Sequence, residues 1–411
     1  MTASVSAALS RYPWMLIGLL WLVAFLNAAD RSIIVAVMPS LRDEFGLSNT
    51  SLAVLNSLFF WVYAVAAFVS GRMGDSVRRT RIIIYGLIFW SVATGLTGLS
   101  TGFVMLLACR GLVALGEATY YPTATALISD WHQPRWRSRA LSLHQTGVFA
   151  GAGLGAFFAG YLADKISWHA PFFIFAVVGI VHAVVLWWWL RDAPAQTARA
   201  PGDEPLGVIW RVKPAAMLCV VFFLANGAST GVTVWAPTYV HDALKLDLAG
   251  SALVGSATIN IAGFLTVPFG GWLADTIAKR TAIGRFYTLA IGLTLAALLL
   301  LPLASVSTAA GVGLVLVLTS FGKGIFDGCI YAAMHDVIPA HARATAVGAM
   351  TMIGFFGAGV TPFIVAWASD SFGMAAGMTS LAGFYVLAVV LILVMRKSIA
   401  RAVAANAGEM H

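Results

Sequence analysis

The chain has 411 residues, of which 60% are hydrophobic and 10% charged, against about 45 to 50% and about 25% in an average soluble protein. So few charged side chains cannot cover the two or three soluble domains that this length would otherwise suggest, which excludes an ordinary water-soluble enzyme. The net charge of +8 would suit nucleic acid, but an excess of Lys and Arg in cytoplasmic loops produces the same balance.

A membrane-spanning helix needs about 20 apolar residues, so twelve would use roughly 240 and leave the remainder for short loops. Residues 1 to 13 carry only Arg11, and the apolar run from Trp14 lacks a small-residue cleavage site, so it reads as a first span rather than a removed signal peptide. Hydropathy, bounded by charges and Pro/Gly clusters, predicts spans at 14–38, 52–74, 82–100, 103–127, 140–163 and 170–190. A second set follows at 214–240, 249–274, 286–303, 309–334, 344–368 and 374–395. The stretch from Arg191 to Lys213, rich in Pro, Ala and charge, resembles a linker. The expected organisation is an N-terminal six-helix bundle over 1–190, a cytoplasmic linker over 191–213, and a C-terminal six-helix bundle with a short cytoplasmic tail over 214–411. Cys109, Cys219 and Cys329 are isolated in apolar runs, without the spacing of a metal site or a disulfide framework.

With both termini inside, 19 Lys and Arg residues fall on the cytoplasmic side, against Arg42, Lys165 and Lys245 opposite. That asymmetry fixes the expected orientation. An internal repeat supports the six-plus-six division. Gly71-Arg-Met-Gly-Asp75 after span two is matched 200 positions later by Gly271-Trp-Leu-Ala-Asp275 after span eight, each followed by basic residues. Asp130 through Arg139-Ala140 is matched by Asp336 through Arg343-Ala344, so the halves read as duplicated.

Gly71, Asp75, Arg78 and Arg79 resemble the loop signature of the major facilitator superfamily: a glycine, three residues, an aspartate, then a basic cluster. Ser76 stands where that pattern is usually basic, and Arg78 where it often has glycine. The resemblance covers essentially the whole chain. It implies an all-α integral membrane fold of twelve transmembrane helices in two pseudo-symmetric six-helix bundles that rock about a central site. The loop would latch the cytoplasmic side, making Gly71, Asp75 and Arg79, with the counterparts Gly271 and Asp275, the expected gate. An aspartate at a helix end can accept charge-assisted hydrogen bonds and meet the positive N-terminus of a neighbouring helix. Within the superfamily, Asn27-Ala-Ala-Asp30-Arg31 and Gly116-Glu117-Ala118 resemble two groups. These are the organic anion:cation symporters, which include sugar-acid carriers, and the spinster-like proteins, associated with sphingolipids and lysolipids.

An Asp, Lys or Arg at the centre of a span costs about 2.5 to 3.5 kcal/mol, so each needs a partner, a wet cavity or a function. Arg110 and Glu117 are seven residues apart, on one helix face but about 10.5 Å apart along the axis, too far to pair directly. Tyr120 and Tyr121 extend this strip with hydroxyls, and the strip is expected to line a cavity. Lys323 and Asp327 are four apart and can bridge on one helix, with Tyr331 extending their face; a self-neutralised structural pair and a polar cavity both fit. Asn27 shares a side of span one with Arg31, while Asp30 points about 100° away. Arg31, helped by Arg110 or Lys323, is the expected clamp for an anionic group, because guanidinium stays protonated and grips carboxylate or phosphate with two prongs. Glu117 is the expected proton carrier, with a permanent salt bridge to Arg31 or Arg110 as its structural alternative. Asp30 and Asp327 are assigned to the same coupling. His144, about four residues into span five, reads as a solvated or helix-end histidine.

Gly147, Gly151 and Gly155 form a four-residue stripe suited to close helix packing. Pro237 and Pro268 can bend spans seven and eight, and Trp235 and Tyr239 read as outer-side aromatics, as a closure or as interfacial anchors. Gly322-Lys323-Gly324 lacks the remainder of a Walker A pattern, and no zinc-protease HExxH motif occurs. No enzyme activity, cofactor or metal is expected. The expected protein is a secondary active transporter in the inner (plasma) membrane with both termini cytoplasmic, working as a monomer in the lipid bilayer. By alternating access it would couple a small organic anion to H⁺, with Na⁺ as the other candidate ion. A lysolipid or sphingolipid carrier is the alternative substrate class, and a solute receptor that moves nothing is the alternative of another kind.

Overall fold

The computed structural model describes residues 2–73, 78–132, 134–193, 207–339 and 342–408. Among them, twelve helices are long and apolar enough to cross a membrane. They are Tyr12–Ala36, Asn49–Ala67, Arg79–Thr97, Phe103–Trp131, Arg139–Lys165 and His169–Trp189, then Lys213–Leu244, Leu248–Ala278, Gly284–Ser305, Ala309–Val337, Thr345–Phe372 and Met374–Val394. All twelve expected spans are present, mostly extended by a few polar residues, because a helix continues into the headgroup zone where hydropathy no longer registers it. The three cysteines are free and buried.

Two spans are broken where charge sits. Span four consists of helices Phe103–Glu117 and Tyr120–Trp131. Pro122 has no N–H for the Ala118 carbonyl, so the ladder fails just after Glu117. Span ten consists of Ala309–Asp327 and Ile330–Val337, parted at Gly328 and Cys329. A Cβ on Gly328 would lie 2.6 Å from the Gly271 nitrogen of span eight, so this break coincides with a backbone contact that only glycine permits.

The chain forms two compact units. The first comprises Met1–Gly46, Val65–Pro201 and Asp247–Ala252; the second comprises Leu47–Ala64, Gly202–Leu246 and Leu253–His411. The boundary thus falls within span two, after Ala64, and within span eight, after Ala252. In the first unit, span one lies against span five along the glycine stripe. A Cβ on Gly147 would sit 2.7 Å from the Trp21 carbonyl oxygen and one on Gly155 2.5 Å from the Ala29 Cβ, while one on Gly151 would overlap the Phe25 carbonyl. Trp21, Phe25 and Ala29 therefore face span five, which turns Asn27 and Arg31 about 200° and 240° away from Phe25 on the same helix. At the end of span five, the Asp164 carboxylate accepts the Leu248 and Ala249 backbone N–H groups at 3.2 and 2.9 Å.

In the second unit, span seven packs on span eleven in the same style. A Cβ on Gly227 would be 2.9 Å from the Gly357 oxygen, and Thr361 Oγ1 donates to the Gly227 carbonyl at 2.6 Å. Trp235 differs from its expected outer-side role. It is fully buried and donates Nε1 to the Pro362 carbonyl at 3.1 Å, so it belongs to this helix contact; Tyr239 is buried too. The C-terminal residues are not a bare tail, because Arg396–Gly408 is a helix docked on the second unit.

Candidate functional site

Four ionisable side chains of spans one and four gather in the first unit. Arg31 Nε donates to Glu117 Oε2 at 2.7 Å, and Arg31 Nη2 donates to Asn27 Oδ1 at 2.7 Å. Asn27 Nδ2 in turn donates to the Glu117 backbone carbonyl at 3.4 Å, near the break in span four. The pair is unevenly buried, with the Arg31 side chain 26% exposed and that of Glu117 0%. Glu117 Oε1 has no hydrogen-bond partner among the described residues. A buried carboxylate held through one oxygen can exchange its guanidinium partner for a proton, and the partly exposed guanidinium can then take another anion.

Asp30 points to the other flank of span one. Thr94 Oγ1 of span three donates to its Oδ2 at 3.2 Å, while its Oδ1 is buried without a partner among the described residues. Asp30, Thr94, Thr97 and Arg110 line a cavity of about the size of one water, closed by Ile34, Val113 and Phe172. The structure therefore splits the four charges into Arg31 with Glu117 and Asp30 beside Arg110.

Tyr120 departs from the expected cavity strip. It is buried, with its hydroxyl donating to the Leu20 carbonyl at 2.6 Å and lying 2.7 Å from His144 Nε2. His144 corrects the solvated assignment, being only 1% exposed and held by that phenol. Its helix runs back to Pro134, so the residue lies deeper than hydropathy placed it. Tyr121 is 40% exposed and donates to Gln145 Oε1 at 2.7 Å, a partner missed from sequence because nothing local marks a lone Gln.

In the second unit, Lys323 Nζ donates to both oxygens of Asp327, at 2.6 and 2.7 Å, and lies 5.2 Å from the Phe326 ring centroid. The lysine side chain is buried while that of Asp327 is 37% exposed. Phe222 of span seven packs on both Phe326 and Tyr331, with ring centroids 6.4 and 6.0 Å apart.

Further ion pairs sit at one end of each unit. Arg79, at the start of span three, pairs with Asp130 at the end of span four. Arg285, at the start of span nine, pairs with Asp336 at 2.6 Å and with Asp275 at 3.1 Å. Arg79–Asp130 and Arg285–Asp336 each join residues 51 apart in sequence, and the second pair lies 206 positions after the first. Of the residues expected to form the gate, Arg79 and Asp275 are each in an ion pair. Gly271 lies against the span-ten break, its Cβ position 3.4 Å from the Gly328 oxygen. Gly71 lies within the helix Asn49–Met73, and Asp75 lies outside the described residues. The acidic partners Asp130 and Asp336 were visible in sequence as a repeat, and their shared offset with the two arginines was the signal for pairing.

The chain is 25% identical over 383 residues to the hexuronate transporter of Bacillus subtilis (strain 168), covering 89% of this chain and 90% of that protein. It is 27% identical over 317 residues to Protein spinster of Drosophila melanogaster, covering 72% of this chain and 51% of that one. Its fold matches a crystal structure of a bacterial homologue of the human lysosomal transporter Spinster in an inward-facing, occupied conformation. That match has a TM-score of 0.82 at 20% identity, over 94% of this chain and 97% of the other. The family model of the Major Facilitator Superfamily matches residues 20–362. Twelve spans, paired ionic groups at bilayer depth and a match over most of the sequence lead to one assignment: the chain belongs to the Major Facilitator Superfamily and is a multi-pass membrane transporter, not an enzyme.

Proposed function

We propose that the chain is a secondary active transporter of a small organic anion of the sugar-acid or carboxylate type, driven by protons and working by alternating access. The observation that carries this reading is the Arg31–Glu117 pair, a permanently charged donor whose buried counterion has one oxygen unpartnered. When Glu117 takes up a proton it ceases to be the counterion, and Arg31 turns to the substrate carboxylate. When the anion leaves, Arg31 reclaims Glu117 and the proton goes with the substrate. Proton and anion then move in the same direction.

Asn27 orients Arg31 in this scheme, Arg110 holds Asp30 as a second proton carrier, and Tyr121 offers its hydroxyl to the solute. Lys323 and Tyr331 supply the second half's binding groups, with Asp327 exchanging Lys323 as Glu117 exchanges Arg31. The hexuronate transporter supports a sugar acid as the substrate class. The equal spacing of Arg79–Asp130 and Arg285–Asp336 supports duplicated halves, 1–190 and 214–411, joined by 191–213, with these pairs and Asp75 in the gate. The 19-to-3 bias of basic residues supports cytoplasmic termini in a plasma membrane.

Uptake of a labelled hexuronate into proteoliposomes tests the proposal. Wild type should accumulate the solute when a pH gradient is imposed, and Glu117→Gln should exchange it in counterflow without responding to that gradient. A Glu117→Gln protein that accumulates as fast as wild type, with the same gradient response, would remove the coupling role. A thermal-shift screen against sugar acids, other carboxylates and lysolipids reads substrate class separately, since selective binding stabilises the native state. Binding without uptake across that panel would make the chain a receptor.

A further inference from the structure

Five basic residues gather at one end of the second unit. Arg211 and Lys213 flank the start of span seven, and Arg396, Lys397 and Arg401 lie on the helix Arg396–Gly408 that follows span twelve. All five are exposed, and none has an acidic partner among the described residues. The helix packs against span seven and against Ile330–Val337, the last part of span ten. Its orientation is fixed by two buried residues. Ile399 is fully buried, and Asn406 Nδ2 donates to the His335 and Asp336 carbonyls at 3.2 and 3.1 Å, capping acceptors that a helix end leaves unsatisfied.

At 100° per residue, Ile399 and Asn406 lie within about 20° of each other, whereas Lys397 and Arg401 lie about 160° from Ile399 on either side. The docked face is thus apolar and amide, and the opposite face is cationic. Only Met395 separates Arg396 from Val394, the end of span twelve, so the charges begin at the edge of the hydrocarbon. Trp210, 61% exposed, stands next to Arg211 where an interfacial aromatic belongs.

We propose that this surface binds the anionic phosphodiester headgroups of the leaflet it faces, with phosphatidylglycerol as the fitting chemistry. Charge complementarity and continuity with the end of span twelve select a lipid as occupant. A lipid seated there holds the terminal helix against span ten, where Asn406 caps the turn that carries Asp336, the partner of Arg285. The inference needs only that the chain spans a bilayer, and is independent of the solute it carries.

The test is a thermal-shift titration of the purified full chain in neutral detergent with dioleoylphosphatidylglycerol or dioleoylphosphatidylcholine, with retained lipids counted by native mass spectrometry. Phosphatidylglycerol should raise the unfolding temperature of the wild type and remain bound, while phosphatidylcholine should do neither. Replacing Arg396, Lys397 and Arg401 together by Gln should weaken the apparent phosphatidylglycerol affinity roughly a hundredfold, at about fivefold per basic residue. If that variant does not fold, the charge-keeping variant R396K/R401K should retain the response, and added salt should weaken it in the wild type. Equal phosphatidylglycerol affinity in the Gln variant, an equal response to phosphatidylcholine, a salt-insensitive response, or the same shift from soluble glycerol phosphate would each overturn the proposal.

Discussion

Removing either partner of the Arg31–Glu117 pair should have unequal consequences, and the structure sets the order. Glu117 is wholly buried and holds Arg31 through Oε2 alone, so Arg31→Gln leaves a buried carboxylate without its cation. Breaking a buried pair from that side costs about 3 to 5 kcal/mol. Glu117→Gln is gentler. The amide keeps the shape and can still accept from Arg31, whose side chain is 26% exposed and so partly hydrated. A neutral acceptor in place of a charged one should cost about 1 to 2 kcal/mol. The double variant buries no unpaired charge and should recover most of the loss of Arg31→Gln, giving a coupling of about 2 kcal/mol or more. The assay is reversible unfolding of the four proteins in mixed micelles, read by tryptophan fluorescence at one pH. Equal losses in the two single variants, or a double variant as unstable as Arg31→Gln, would show that Glu117 does not depend on Arg31 for its charge.

Gly151→Ala should lower stability by about 1 to 3 kcal/mol, because its Cβ would overlap the Phe25 carbonyl, whereas Gly111→Ala, with nothing within 4 Å of its Cβ, should unfold like wild type. Thermal unfolding of the two side by side separates packing from a general intolerance of substitution. In a double-mutant cycle, Arg285 and Asp336 should couple by about 1 kcal/mol and Arg285 and Asp275 by less, since the second pair is longer and more exposed; chemical denaturation reads both. Lys323→Met combined with Asp327→Leu should fold nearly as well as wild type yet lose solute uptake. Normal uptake in that folded variant would reduce Lys323–Asp327 to a structural pair.

What the sequence discloses depends on how far apart the interacting groups lie along the chain. A span is a local run of apolar residues, so all twelve are legible from hydropathy. Lys323 and Asp327 share one helix at a fixed spacing, so their contact follows from helical geometry alone. The break after Glu117 was equally within reach through Pro122, but the break after Asp327 has no proline and depends on where span eight presses on Gly328. Thr94 on Asp30, Leu20 and His144 on Tyr120, and Gln145 on Tyr121 are contacts between helices, and no single-helix argument supplies them. His144 was misplaced because hydropathy stops where polar residues begin, while the helix of span five continues back to Pro134.

The internal repeat is the exception that makes some long-range contacts readable. Arg79 and Asp130 recur 206 positions later as Arg285 and Asp336, and in each unit the two residues pair across helices. A contact made in one copy therefore forecasts the contact in the other. The same shift carries Glu117 to Lys323 and Tyr121 to Asp327. At those positions the copies have exchanged an acid for a base and a phenol for an acid. The Arg–Asp pair is thus the same in both units, whereas the positions of Glu117 and Tyr121 carry different chemistry in the second. If Lys323 and Asp327 bind solute as proposed, a solute with unlike ends would require such a difference between the two halves.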